Sequence, residues 1–278
     1  MTAAEATNAL AERNFASTFA AGRRPAAPGA VANALTFAWR GLLKIKHMPE
    51  QLFDVIVTPV MFTVMFTYLF GGALAGSPDA YLQFLLPGIL VQTVTFTTIY
   101  TGFTFNTDIS RGVFDRFRSL PIWRPAPIVG AMVGDTVRYT VSSVIVVVIG
   151  LIMGFRPETG LAGVAFAIVL LNVFGFGMSW VFVVLALTVR TPSVVMTLGW
   201  LVLMPVTFAS NIFVDPATMP GWLQAIVAVN PVAILVTAIR GIMAGGVAVE
   251  AIALAMIAPA VLTAVLGPLA MALYGRRK

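Results

Sequence analysis

The amino-acid sequence predicts an all-α membrane protein with six transmembrane helices, and three observations carry that expectation. Hydrophobic residues are 59% of the 278 and charged residues 10%, where soluble domains hold roughly 45–50% and 25%. Six apolar stretches, at about 52–70, 84–105, 130–153, 161–187, 194–212 and 249–272, each lie near the roughly 20 residues a bilayer requires. The connecting segments alternate in basic charge. One side receives Arg13, Arg23, Arg24, Arg40, Lys44, Lys46, Arg111, Arg116, Arg118, Arg124, Arg190, Arg276, Arg277 and Lys278; the other receives only Arg156 and Arg240. The positive-inside rule then puts both termini in the cytoplasm, and an excess of Arg over Lys fits a GC-rich bacterial genome, so the expected location is a bacterial cell membrane.

Taken in order, residues 1–30 read as a disordered cytoplasmic tail. They carry Glu5, Glu12, Arg13, Arg23 and Arg24 and lack the apolar core of a signal peptide. Residues 31–278 read as one transmembrane domain. Val31 to Met48 suits an interfacial helix, because Leu35, Trp39 and Leu42 share a face while Arg40, Lys44 and Lys46 are basic; ordinary juxtamembrane sequence is the plainer alternative. Pro49 ends it. The first span starts beside Asp54 and contains Pro59, and the second contains Pro87 and a dense threonine series.

Between spans two and three lies the most charged segment, Asp108 to Arg124, with four arginines. On a helix Ile109, Val113, Phe117 and Leu120 share one face, while Arg111, Asp115 and Arg118 project elsewhere and Arg116 adds charge. This pattern suits a short docking helix; a solvated loop obeying the charge rule fits equally. The third span opens with Asp135 and Arg138, the fourth holds Asn172, Gly175 and Gly177, and the fifth holds Pro205. Residues 211–231 are too apolar for a free loop and too broken by Pro216, Pro220 and Pro231 to span, so a re-entrant external segment is expected. A short apolar helix with Arg240 follows. The sixth span is Ala-rich and closes at Pro268, Tyr274 and Arg276-Arg277-Lys278.

Bond-making chemistry has no visible carrier. No Gly-x-x-x-x-Gly-Lys phosphate loop and no Gly-x-Ser-x-Gly elbow occur. His47 is the only histidine and cysteine is absent, which excludes the usual transition-metal ligand sets. The net charge of +6 follows the membrane topology and comes with no nucleic-acid motif. Thirteen methionines read as core filler rather than a copper site. The chain is therefore expected to be no enzyme, to bind no cofactor or metal, and to have no nucleic-acid partner.

Three groups remain as candidates. Asp135 and Arg138, spaced i, i+3 at the edge of a span, form a candidate ion pair; intramembrane charges are functional candidates, and structural pairing is the plainer account. Span two presents Gln92, Phe96, Ile99 and Phe103 along one face with Tyr100 beside it. Span five presents Thr197, Leu201, Met204, Phe208 and Asn211. Mixed aromatic, thioether and polar stripes suit a bulky amphipathic substrate, and helix packing explains either stripe alone.

Four stretches then carry a resemblance: Ile45-Lys-His-Met-Pro-Glu-Gln-Leu, Tyr81-Leu-Gln-Phe-Leu-Leu-Pro-Gly-Ile, Gly112-Val-Phe-Asp-Arg-Phe-Arg-Ser-Leu-Pro-Ile, and Met219-Pro-Gly-Trp-Leu-Gln with Asn230-Pro and Ala238-Ile-Arg-Gly. The chain resembles the ABC-2 type transporter permeases, in particular the daunorubicin and doxorubicin resistance exporter permeases, over about residues 31–275. The resemblance implies a six-helix half-transporter that pairs with a second permease copy, forming a homodimer, and with two copies of an ABC ATPase subunit that holds ATP and Mg. It also implies that residues 108–121 form a coupling helix on the ATPase and that spans two and five line the path. The expected function is export of a hydrophobic or amphipathic drug, antibiotic or lipid across the lipid bilayer. The rivals are a permease for a glycan precursor or ion, an ion-gradient transporter, which usually needs a mid-span carboxylate absent here, and a membrane scaffold.

Overall fold

The computed structural model describes residues 29–46, 49–114, 125–246 and 249–276, and every regular element among them is helical. In chain order these are α1 (Ala30–Lys46), α2 (Pro49–Ala75), α3 (Pro78–Ser110), α4 (Ala126–Met153), α5 (Gly160–Thr188), α6 (Pro192–Phe208), a 3-10 turn (Pro216–Thr218), α7 (Gly221–Val229), α8 (Pro231–Met243) and α9 (Val249–Arg276). Five helices are long and apolar enough to cross a membrane, namely α2, from Val57 onward, α3, α4, α5 and α9. The α7–α8 pair, bent by 78° at Asn230, makes a sixth if counted as one broken span.

The 33-residue α3 is the hub, packed against α2, α4, α5, α6 and α8. Its start is written locally. The Ser77 hydroxyl accepts from the Ala80 N–H at 3.2 Å, Pro78 opens the first turn and Asp79 sits in it. Its buried interior tolerates threonines because their hydroxyls bond their own backbone: Thr93 to the Ile89 carbonyl, Thr95 to Val91 and Thr97 to Thr93, at 2.6–2.7 Å. Small residues let its neighbours approach closely. A Cβ on Gly102 would lie 2.6 Å from the Phe182 carbonyl of α5, and one on Gly88 would lie 2.9 Å from the Ile212 carbonyl.

α1 lies along the first half of α4. A Cβ on Gly130 would collide with Phe37 Cβ and crowd the Ala34 carbonyl, and Gly134 meets the Ala38 carbonyl. Asn33 and Ala38 are buried on that side, while Leu35 and Trp39 are exposed on the other. α9 is the opposite of α3: only 11% of its apolar window is buried, against 83% for α3, and it reaches the bundle through α5 and α8.

Two boundaries differ from the sequence expectation. The fifth apolar stretch was expected to run as a span over 194–212, but α6 stops at Phe208 after 17 residues, about 25 Å of helix. The cause is remote. The Asn230 side-chain amide donates to the Val206 and Ala209 carbonyls, each at 2.7 Å, while its oxygen accepts from the Val232 N–H at 2.9 Å. One side chain thus closes the C-terminus of α6 and opens α8.

The second difference lies at the charged segment, for which a docking helix from Asp108 to Leu120 was one expectation and a solvated loop the other. Ile109 belongs instead to the last turn of α3, and Arg111 caps it. Gly112 breaks the helix with φ +67°, and a new helical turn begins at Val113 and Phe114. Glycine takes this left-handed conformation without the Cβ clash of other residues, so Ile109 and Val113 do not share one helix face. Asp115, Arg116, Phe117, Arg118 and Leu120 lie outside the described residues.

Candidate transport cavity and its polar support

α2, α3 and α6 enclose a cavity of about 210 Å³. α3 contributes Gln92, Thr93, Phe96, Thr97, Ile99 and Tyr100; α2 contributes Thr58, Pro59 and Phe62; α6 contributes Met196, Trp200 and Met204. The three α6 residues repeat every four positions and so face the cavity together. α6 approaches because a Cβ on Gly199 would lie only 2.8 Å from Ile99. The Phe96 and Trp200 rings meet at 4.7 Å between centroids, tilted by 52°. Such a lining, apolar and aromatic with a few polar groups, is the usual make-up of a small-molecule site.

Of the ten stripe residues singled out in the sequence, Gln92, Phe96, Ile99, Tyr100 and Met204 line this cavity together, while Leu201 is exposed. Phe103 is half-buried further along α3 and does not line it. Thr197 is exposed and donates to the Ser193 carbonyl at 3.1 Å. Phe208 stacks on Phe213 at 5.1 Å and lines a second space with Phe66, Phe70 and Tyr81. Asn211 lies past the end of α6, where its amide donates to the Thr237 hydroxyl at 2.9 Å. Phe62, Met196 and Trp200 were missed, although the Met196-Trp200-Met204 spacing was readable.

Asp135 and Arg138 do pair, at 3.3 Å, and both are buried. The pair is electrostatic rather than aligned for hydrogen bonding, since Arg138 Nε and Nη1 have no hydrogen-bond partner among the described residues. The carboxylate anchors a wider junction. Thr101 donates to Asp135 Oδ2 at 2.6 Å, and the Tyr139 hydroxyl lies 3.1 Å from Thr101 Oγ1 and 2.7 Å from Ser179 Oγ. Ser179 gives its own proton to the Gly175 carbonyl at 2.7 Å, which leaves Tyr139 as the donor to Ser179. Three helices, α3, α4 and α5, are joined by this chain. Sequence offers no signal for it, because its members are 34 to 40 positions apart.

The ends of the bundle carry further ties. Arg240 on α8 donates to the Phe84 carbonyl at 3.3 and 3.1 Å and to the Asn211 carbonyl at 3.0 Å, with its guanidinium 3.8 Å over the Phe84 ring. At the other end of α3, Asn106 donates to the Ala186 and Val189 carbonyls at 2.8 and 3.0 Å, and Arg40 of α1 lies 3.7 Å from Asp108. Ile109 and Val113 are half-buried and Arg111 is exposed. Phe114, one residue beyond Val113, is buried against Phe105 and Tyr274, at 4.6 and 5.6 Å between centroids.

The ABC-2 type transporter family matches this chain over residues 33–244. The daunorubicin resistance ABC transporter permease protein DrrB1 of Streptomyces coeruleorubidus is 48% identical over 254 residues, covering 91% of this chain and 90% of that one. The "Probable doxorubicin resistance ABC transporter permease protein DrrC" of Mycobacterium tuberculosis is 24% identical over 227 residues, covering 79% and 82%. A match over most of the chain, together with an all-helical body rich in apolar spans, leads to one conclusion: the chain belongs to the ABC-2 type transporter family and is a membrane permease.

Proposed function

We propose that this permease is the transmembrane subunit of an ATP-driven exporter for hydrophobic or amphipathic compounds, and that the α2–α3–α6 cavity is where they pass. The observation that carries this reading is the cavity lining of Phe62, Phe96, Tyr100, Trp200 and Met204. The similar permeases named for daunorubicin and doxorubicin resistance support it. In this reading residues 31–278 form one domain in a bacterial cell membrane with both termini cytoplasmic. α6 acts as the fifth of six spans, and α7–α8 re-enters from the outside. α1 lies at the inner interface with Leu35 and Trp39 toward lipid. Two copies of the permease pair, and two ATPase subunits bind ATP and Mg. The segment Asp108–Leu120, beginning with Ile109, Arg111 and Val113 and continuing through Asp115, Arg116, Phe117, Arg118 and Leu120, docks on them.

The test is reconstitution of the permease with its ATPase in vesicles. Hydrophobic cationic dyes should stimulate hydrolysis, and Phe96→Ala should change which dyes do so while insertion is unaffected. An unchanged dye profile in Phe96→Ala would reduce the lining to packing. Phe117→Ala should weaken ATPase association by about 1 kcal/mol or more and remove the stimulation. Equal association and turnover in that variant would make the segment an ordinary basic loop.

A further inference from the structure

We propose that the aromatic contact between Phe114 and Tyr274 is the grip through which the charged segment after α3 moves α9, and that Tyr274 is a positioning residue for the coupling of ATP hydrolysis to transport. The inference rests on the docking of that segment on an ATPase, proposed above, and names the helix that receives its movement.

Gly112 decides the route. Its φ of +67° ends α3 before Val113, so the segment is not a rigid extension of that helix. A push or pull on it reaches the bundle through side chains instead. Phe114 is 7% exposed, its ring 4.6 Å from that of Phe105 on α3 and 5.6 Å from that of Tyr274 in the last turn of α9. Of these two receivers, α3 is the one held fast. Beside Phe105 the Asn106 amide ties it to the Ala186 and Val189 carbonyls, and Thr101 ties it to Asp135. From Ala251 to Leu273, by contrast, the only polar side chain of α9 is Thr263, and only 11% of its apolar window is buried. Helices in lipid have no hydrophobic driving force between them. A seam of apolar contacts therefore resists displacement less than hydrogen bonds to a buried carboxylate do.

The seam between α5 and α9 also marks a second position. Trp180 on α5 belongs to the same apolar cluster as Phe105, Phe114 and Tyr274. It is 5% exposed, and its indole N–H has no hydrogen-bond partner among the described residues, an unfavourable state for a buried donor. The ring faces α9: a Cβ on Gly267 would lie 3.9 Å from Cε2 and Cζ2, and Cε2 carries the indole nitrogen. The next residue, Pro268, has no N–H, so the Ala264 carbonyl lacks the donor that a helix ordinarily supplies. A donor without an acceptor on α5 thus sits beside an acceptor short of its donor on α9. A displacement of α9 that joins them defines the second position, and a pull at Tyr274, further along the same helix, is the way to reach it.

The experiment uses the full-length permease reconstituted with its ATPase and carrying fluorotryptophan, with the Trp180 fluorine resonance assigned by Trp180→Phe. Trapping with ATP, Mg and vanadate should move that resonance in the wild type. Tyr274→Phe keeps the ring and should move it equally. Tyr274→Ala should still associate with the ATPase, but its Trp180 resonance should stay at the resting position on trapping. Dye-stimulated hydrolysis should fall in that variant by roughly fivefold or more, the low end of coupling between distant sites. Tyr274→Leu, which also lacks the ring, repeats these measurements with the same expected result if the Ala variant does not accumulate. A wild-type resonance that ignores trapping, or one that moves in Tyr274→Ala as it does in the wild type, overturns the role of α9 and Tyr274 alone. A permease whose hydrolysis no dye stimulates, or whose Phe117→Ala variant associates as the wild type does, overturns the reading beneath it and this assignment with it.

Discussion

Thr97 and Thr101 lie one turn apart on α3 and both are buried, but they belong to two regions that use polar groups differently. Thr97 is part of the cavity wall, where the Thr93 and Thr97 hydroxyls are satisfied by their own helix. Thr101 is part of the junction of α3, α4 and α5, where its hydroxyl crosses to the Asp135 carboxylate at 2.6 Å. The wall has no polar bond to another described helix through Thr93 or Thr97, so neither threonine ties it to a neighbour. The junction is bound by Asp135, Tyr139 and Ser179 and resists separation. A transporter needs both kinds of contact: a part that yields and a part that carries the movement intact.

Substitutions that split these roles test the comparison. The largest effect is expected for Asp135→Ala. It leaves Arg138 buried with no counter-ion and removes the acceptor of Thr101. Breaking a buried pair from one side costs about 3–5 kcal/mol, so thermal unfolding in detergent should move sharply down and membrane yield should fall. A melting temperature equal to the wild type would mean that the pair is solvated and that the junction is not a structural centre. Thr101→Val is next. It keeps the side-chain shape and removes one hydrogen bond to a charged group, a loss of about 1.5–3 kcal/mol. Unfolding should register it, and an unmoved transition would place the strength of the junction in Tyr139 and Ser179 alone.

The same distinction explains what the sequence could and could not disclose. Membrane spans are legible because lipid rewards long apolar runs, and α4, α5 and α9 lie where hydropathy put them. The start of α3 is legible because Ser77, Pro78 and Asp79 act within one turn. The end of α6 is not, because the side chain that closes it, Asn230, is 21 to 24 positions away. Gly112 was visible as a glycine, but a periodic pattern across it argued for one continuous helix, and only its φ of +67° decides the matter. Half of the stripe residues meet in the cavity since periodicity fixes the face a residue takes on its own helix. It does not say how far along that helix the neighbouring helices open. That is why Phe96 and Met204 meet and Phe103 and Thr197 do not. Asp135 and Arg138 were found as a pair from their i, i+3 spacing, whereas Thr101 and Ser179, on other helices, had no local signature.

The smallest effect is expected for Thr97→Val, the substitution of Thr101 repeated one turn away. Thr97 lines the cavity and is polar, so a reading that counts polar lining groups would give it a large part in recognition. Its proton, however, already goes to the Thr93 carbonyl at 2.6 Å. That carbonyl retains its backbone partner inside α3 when the hydroxyl is lost, so no group is left unsatisfied. Replacement of a hydroxyl by a methyl of the same shape is then nearly neutral, and such back-bonding mildly disfavours the helix in any case. Stability should shift by less than about 0.5 kcal/mol, and the dye profile of stimulated hydrolysis should stay that of the wild type. A Thr97→Val variant whose dye profile changed as fully as that of Phe96→Ala would show that the hydroxyl leaves its backbone partner when a ligand binds. The wall would then be a polar surface held in reserve rather than a satisfied one.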